Sequence, residues 1–108
     1  MCNFNTLKYN DYGYVMQCND CNHLQVAFGT VILSLTPDQF HELIETAEQH
    51  YMHHNPYPFR EEKIIRMPTP ARSVMMVFSL HELKELLNLL VAGRDKLQYR
   101  QLFILNQN

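Results

Sequence analysis

A chain of 108 residues suits one domain with a single modest core, and we expect one domain over residues 1–108. Its 46% hydrophobic and 19% charged residues exclude a disordered chain, and its net charge of −2 disfavours nucleic-acid binding driven by phosphate contacts. We find no signal peptide and no apolar run long enough to span a bilayer, and three cysteines fit a reducing compartment, so we expect a cytoplasmic protein.

The first third of the chain predicts a series of short strands. Residues 3–9 and 13–18 are expected to pair around a turn at residues 10–13. Alternate residues from Leu24 to Phe28 then face one side, but Val31 to Leu35 alternate in the opposite phase. A strand changes face only through an extra residue, so we predict a bulge or a sharp bend at Gly29-Thr30.

A degenerate internal repeat follows, in which residues 31–45 align with residues 74–88. Each copy has a short apolar strand that leads into an amphipathic helix. Thr36 with Gln39, and Ser79 with Glu82, have the spacing of a capping box, which marks a helix start. The first helix must end before Asn55-Pro56. We expect the two strand–helix units to lie on one sheet.

The rest of the chain predicts a hairpin and a second helix. Residues 62–67 and 73–78 are the expected strands, on either side of a proline-bounded turn. Gly93 is interpreted as the end of the second helix, and residues 94–105 as a further helix with Leu97, Leu102 and Leu105 on one face. The fold class is therefore α+β: an antiparallel β meander with two amphipathic helices on one face.

Cys18 and Cys21 form a Cys-x-x-Cys pair in a turn between two apolar segments. A structural zinc site needs four ligands, and such a pair supplies two of them. If the first two strands pair so that residue numbers sum to about 23, Cys2 lies opposite Cys21. The sequence thus predicts a zinc site made by Cys2, Cys18, Cys21 and His23.

Other interpretations of these residues stay open. In one alternative, Cys18 and Cys21 bind no metal and are either thiols or a disulfide. In another, they form the centre of a thiol- or metal-dependent activity. A redox pair normally has its first cysteine at a helix N-terminus, but a strand-like segment follows this turn. Further histidines near the end of the first helix have the spacing that lets two imidazoles share a metal, or only interact with the helix dipole. These backup ligands are His50, His53 and His54.

Residues 57–72 give a second functional alternative. Tyr57 and Phe59 precede Arg60, Lys63 and Arg66 there, and aromatic and basic side chains together can stack on bases and hold a nucleic acid. The chain has no glycine-rich phosphate loop and no nucleophile motif. The leading hypothesis is a non-enzymatic domain that acts through protein contacts, including a homodimer, with or without zinc at the cysteine turn. The bulged strand, Met75-Met76 and the apolar tail are the expected contact surfaces.

The order of motifs in the first third resembles a small family of Bacteroidetes proteins of unknown function. The motifs that carry the resemblance are Cys2, Gly13-Tyr14, Cys18, Cys21, Phe28-Gly29 and Thr36. The resemblance implies a stand-alone cytoplasmic domain and assigns no activity to it. The cysteine turn is also similar to one half of a zinc ribbon.

Overall fold

The computed structural model of the protein describes residues 3–56 and 60–106, with side chains as far as Phe103. In chain order, the described elements are β1 (Phe4–Tyr9), β2 (Gly13–Cys18), β3 (Leu24–Phe28), β4 (Val31–Leu35), α1 (Pro37–His54), β5 (Ile65–Pro68), β6 (Met75–Phe78) and α2 (Leu80–Asn106). Strands β1 to β4 form an antiparallel meander, and β5 and β6 form a separate hairpin. The predicted α+β class is confirmed.

The third and fourth strands are two arms of a hairpin, not one bent strand. Phe28 pairs with Val31, so Gly29 and Thr30 are the two residues of a tight turn. Gly29 has a φ of 62°, as the first central residue of a type II′ turn requires. The predicted bulge or bend is therefore wrong. The apolar phase changes because the chain reverses, which puts Phe28 and Val31 on the same face of the sheet.

The first two strands pair around the predicted turn, but their register changes along the ladder. Residue numbers sum to 23 at the pair Tyr9–Tyr14 and to 22 at the pair Thr6–Met16, because the pairing is irregular between Thr6 and Lys8. The register assumed for the cysteine end is therefore wrong by one residue. The extra residue, Leu7, is only 5% exposed and contributes to the core.

Helix α1 begins and ends where the sequence indicated. The Thr36 hydroxyl accepts a hydrogen bond from the Gln39 N–H at 3.2 Å, and the Gln39 side chain accepts one from the Thr36 N–H at 3.0 Å. This capping box and Pro37 at the first turn fix the start of the helix. The helix buries one stripe of side chains, formed by Phe40, Leu43, Ile44 and Ala47.

Helix α2 also begins with a capping box, but it does not end at Gly93. Ser79 and Glu82 exchange hydrogen bonds of 2.9 and 3.1 Å, and the helix then continues for 27 residues. A Cβ atom on Gly93 would lie 3.2 Å from Cβ and Cγ1 of Val15. The glycine lets α2 approach β2 closely, so the predicted helix end is wrong. The expected separate tail helix is the last part of α2.

The two strand–helix units lie in different sheets. Strand β4 belongs to the four-stranded sheet, whereas β6 pairs with β5 in the two-stranded sheet. The expectation of one common sheet is therefore wrong, although both capping boxes are present. Each helix contacts both sheets: α1 packs against β4 and β5, and α2 packs against β1, β2 and β6.

Aromatic side chains connect the two sheets. The rings of Tyr12 and Phe28 are stacked, with centroids 5.3 Å apart. Phe28 also meets Phe78 of β6 edge to face, at 5.8 Å. Such pairs stabilise by roughly 0.5–1.5 kcal/mol beyond the area that they bury. The hairpin of β5 and β6 therefore joins the same core as the meander.

Candidate functional site

Cys18 ends β2 and Cys21 lies in the loop between β2 and β3, and backbone hydrogen bonds close the turn that contains them. The Cys18 N–H donates to the His23 carbonyl at 2.8 Å, and the Asn22 N–H donates to the Cys18 carbonyl at 3.0 Å. Asn22 adopts a left-handed φ of 62°, which asparagine tolerates better than most residues. The loop is therefore a compact turn, as predicted.

The predicted ligands in this turn differ in exposure. The side chain of Cys18 is buried, whereas Cys21 and His23 are exposed. Cys2 lies outside the described residues. Within residues 3–56 and 60–106, no group of three or more His, Cys, Asp or Glu side chains is arranged to hold a metal ion. The zinc site of Cys2, Cys18, Cys21 and His23 stays a prediction.

Polar contacts connect the cysteine turn to the first strand and to the end of α2. The Asn3 N–H donates to the Asp20 carboxylate at 3.3 Å, and the Asn19 N–H donates to the Asn3 carbonyl at 2.9 Å. The Asn5 side-chain amide, with its oxygen oriented toward Arg100, accepts hydrogen bonds from both terminal guanidinium nitrogens at 2.6 and 2.9 Å. These contacts join the turn to the residue that precedes β1, and β1 to α2.

A polar cleft of about 420 Å³ lies beside this turn, between the start of α1 and the last third of α2. No carboxylate lines the cleft among the described residues, so its walls offer amide groups and positive or neutral nitrogens. Such walls suit a small, polar, hydrogen-bonding molecule. The side chains with this chemistry are Gln17, Asn19, Asn22, His41, Gln98, Arg100 and Gln101.

This cleft was not predicted from the sequence. Its residues come from the end of β2, the cysteine turn, the start of α1 and the last third of α2, and these segments are far apart along the chain. A usable signal was the amide-rich composition of residues 98–101, which differs from the apolar stripe before it. That signal becomes meaningful only when α2 is known to continue past Gly93.

The histidines near the end of α1 make regular contacts with the helix backbone. The Nδ1 atom of His50 lies 2.9 Å from the Thr46 carbonyl, and that of His54 lies 2.9 Å from the His50 carbonyl. A carbonyl only accepts, so each Nδ1 carries a proton and donates it. The rings of His50 and His54 are nearly parallel, with centroids 6.4 Å apart.

This arrangement does not bring the His50 and His54 imidazoles to one ion. Two nitrogen ligands of a zinc ion lie at most about 4.2 Å apart, and the repeated backbone hydrogen bond translates one ring along the helix relative to the other. Arg66 of β5 lines the same open cavity as His50, His53 and His54, and its charge opposes a bound cation. Metal binding by these histidines stays a prediction.

The basic segment proposed for nucleic acid is described only from residue 60 onward, and Tyr57 and Phe59 lie outside the described residues. Lys63 pairs with Glu82 at 3.2 Å. Burial raises the pKa of Glu82, but the hydrogen bonds from Ser79 and Lys63 and the Lys63 charge together hold it below its usual value of 4.5. One of the basic side chains therefore stabilises the start of α2, and nucleic-acid binding stays a prediction.

The last third of α2 carries apolar side chains on two opposite sides. Leu97 is buried, with 6% exposure, on the side that faces the core. Tyr99, Leu102 and Phe103 are 67%, 59% and 54% exposed, and their i, i+3, i+4 spacing puts them on the other side. The expectation that Leu97 and Leu102 share a face is therefore wrong. We call Tyr99, Leu102 and Phe103 the outer α2 face.

Neither helix of the described part of the chain combines the length and the hydropathy that a bilayer crossing requires. No curated protein and no solved structure matches the chain. The sequence does match a protein family over residues 1–107, and that family is described as a family of unknown function, DUF6686. The resemblance to a family of unknown function is thus confirmed, and the chain belongs to the DUF6686 family.

Proposed function

We propose that this chain is a non-enzymatic cytoplasmic domain that acts by binding protein chains, including a second copy of itself. The observation that carries the proposal is the outer α2 face, where three large apolar side chains are more than half exposed. A helix that is apolar on two opposite sides is normally covered on both. The sheet covers one side of α2, and a protein partner would cover the other.

The chemistry of the outer α2 face supports a protein partner. Tyr and Phe are enriched at the centres of protein interfaces because they bury a large area with few rotatable bonds. Charged side chains adjoin the face along the helix, at Asp95, Lys96 and Arg100. An apolar centre with a charged border is the usual composition of a specific, reversible interface.

The experiment compares Leu102→Glu and Phe103→Glu with Gln98→Glu. All three positions are exposed on one helix, so each variant should keep the wild-type melting temperature within a few degrees. Gln98→Glu adds the same charge beside the face and serves as the matched control. Light scattering on purified protein and cross-linking in extract of the native host measure association.

We expect the wild type and Gln98→Glu to form the same complexes, and the two face variants to lose them. The proposal is wrong if the wild type forms no complex, or if all four proteins form the same complexes. Detection of covalent turnover that depends on Cys21 would instead favour the thiol-dependent alternative. Retention of nucleic acid through residues 57–72, weakened by salt, would favour the nucleic-acid alternative.

The second part of the proposal is a structural zinc ion at the cysteine turn. Support comes from the compact loop, whose two backbone hydrogen bonds hold both cysteines of the Cys-x-x-Cys pair within one turn. Cys18 and Cys21 would be joined by Cys2 and His23. Elemental analysis of untagged protein, with melting curves before and after a strong chelator, tests this part.

We expect one zinc per chain and a lower melting temperature after chelation, since structural zinc contributes directly to folding. Cys21→Ser is the informative variant because Cys21 is exposed, so its replacement removes a ligand without opening the core. Protein that contains no zinc and melts identically with and without chelator would contradict the metal site. That result would leave the protein-binding proposal unaffected.

A further inference from the structure

Strand β4 forms one edge of the four-stranded sheet, and its outward backbone groups have no partner within the described residues. In an antiparallel ladder, alternate residues direct their N–H and C=O groups to the neighbouring strand. The turn pair Phe28–Val31 sets this alternation, so Val31, Leu33 and Leu35 bond to β3. The N–H and C=O groups of Ile32 and Ser34 therefore point outward from the edge of the sheet, away from β3.

The opposite edge of the same sheet is protected, whereas this one is not. Strand β1 carries the exposed charge of Lys8 and a register irregularity next to Leu7. A charge and a bulge are two of the devices that prevent an edge from pairing with another chain. Strand β4 has no charge, no proline and no bulge, and its Ile32 side chain is 58% exposed.

The whole hairpin that contains this edge lacks charged side chains. Residues 22–37 include no Asp, Glu, Lys or Arg, although the chain has 9 basic and 11 acidic residues. At a two-fold interface a residue near the axis meets its own copy, so a charge there would face a like charge. The absence of charge therefore leaves no like-charge contact to oppose the pairing of this edge with itself.

We propose that β4 pairs antiparallel with β4 of a second copy, about a two-fold axis beside Leu33. In this register, the N–H and C=O of Ile32 face the C=O and N–H of Ser34 of the partner subunit, and the symmetric pair forms on the other side of the axis. The pairing joins two four-stranded sheets into one continuous sheet. It adds a second contact surface to the outer α2 face, and the two surfaces are tested separately.

Two variants of the edge test the pairing. Ser34→Pro removes an outward N–H and leaves the ladder between β3 and β4 intact, because proline is tolerated where an edge N–H points to solvent. Ile32→Lys puts a charge at an exposed edge position. Thr6→Lys is the matched control, since Thr6 is an exposed residue of the opposite edge strand. Circular dichroism checks that each variant is folded.

Analytical ultracentrifugation over a concentration series measures the dimer dissociation constant. We expect a wild-type dimer, at least a ~10-fold weaker dimer for Ile32→Lys and Ser34→Pro, and no change for Thr6→Lys. Amide exchange by NMR gives an independent measurement. The amide hydrogens of Ile32 and Ser34 should exchange slowly in the dimer and quickly after dilution to monomer, because only the partner subunit protects them.

A wild type that stays monomeric, or a dimer that both folded edge variants keep, would overturn the β4 pairing. Fast exchange at Ile32 and Ser34 in a stable dimer would overturn it as well. A dimer lost with Leu102→Glu but kept with Ile32→Lys would mean that the outer α2 face is the self-association surface. If only the edge variants dissociate the dimer, the β4 pairing is supported, whether or not the outer α2 face binds a partner.

Discussion

Replacing Gly93 by alanine tests whether this glycine is needed for the close packing of α2 against β2. Val15 is completely buried, and the added Cβ would lie 3.2 Å from its Cβ and Cγ1 atoms and 3.3 Å from its Cγ2 atom. These separations are shorter than ordinary contacts between carbon atoms, which lie at about 3.5–4.0 Å. Either Val15 or helix α2 must move by a few tenths of an ångström.

Two opposing terms decide the sign of the effect. Alanine in place of glycine inside a helix stabilises by about 1 kcal/mol. An extra methyl group in a well-packed core costs about 1–3 kcal/mol. We therefore expect Gly93→Ala to lower the free energy of unfolding by about 0–2 kcal/mol, despite the better helix propensity. Val15→Ala removes two of the three close atoms, so Gly93→Ala should become stabilising in that background.

Urea unfolding followed by circular dichroism measures the four members of the double-mutant cycle. A coupling free energy of at least about 1 kcal/mol between Gly93→Ala and Val15→Ala is expected for residues in contact. Comparing Lys96→Gly with Lys96→Ala, at an exposed site of the same helix, gives the propensity term alone. If Gly93→Ala raises stability by the full propensity term in the wild-type background, with no coupling, the packing explanation is wrong.

Three further changes test other contacts of the fold. Gly13→Ala should destabilise strongly and can prevent folding, because the new Cβ would collide with the Ala27 backbone carbonyl of the adjacent strand; a melting temperature near that of the wild type would contradict this contact. Ser79→Ala should cost about 1 kcal/mol in urea unfolding, because the buried hydroxyl accepts the Glu82 N–H and no other group replaces it; an unchanged midpoint would show that the cap is unimportant. Glu82→Gln tests the lowered pKa of Glu82. A carboxyl whose pKa is lower in the folded protein than in the unfolded chain stabilises the native state at any pH above the unfolded pKa. This contribution is lost as the pH falls through the folded pKa. The variant should therefore be less stable at neutral pH, where it lacks the ion pair with Lys63, and its stability should fall less between pH 5 and 3, which melting curves over that range measure.

Features that depend on neighbouring residues could be predicted from the sequence. The hydroxyl of Thr36 and the side chain of Gln39 lie three positions apart, so their capping box is a local property, and α1 begins where it indicated. The turn between β1 and β2 and the hairpin of β5 and β6 were also predicted, because each pairs segments that are close in the chain. The α+β class followed from these elements.

Features that depend on distant contacts could not be predicted. A glycine can end a helix, or it can let the helix approach another element closely. Only the position of Val15 shows that Gly93 allows a close approach. The change in the phase of the apolar alternation at Gly29 fits a bent strand and a chain reversal equally well. The pairing of Val31 with Phe28 shows that the chain reverses. The polar cleft beside the cysteine turn was missed for the same reason, since its walls meet only after α2 has packed against β1.

The packing of α2 against the first two strands also governs when the protein can fold. Gly93 meets Val15 across 78 residues of chain, so a nascent chain on the ribosome exposes the apolar side of β1 and β2 until the last helix emerges. At usual synthesis rates this interval is on the order of ten seconds. During that time the strands are candidates for chaperone binding, and a polypeptide that stops before α2 lacks the helix that packs against β1 and β2.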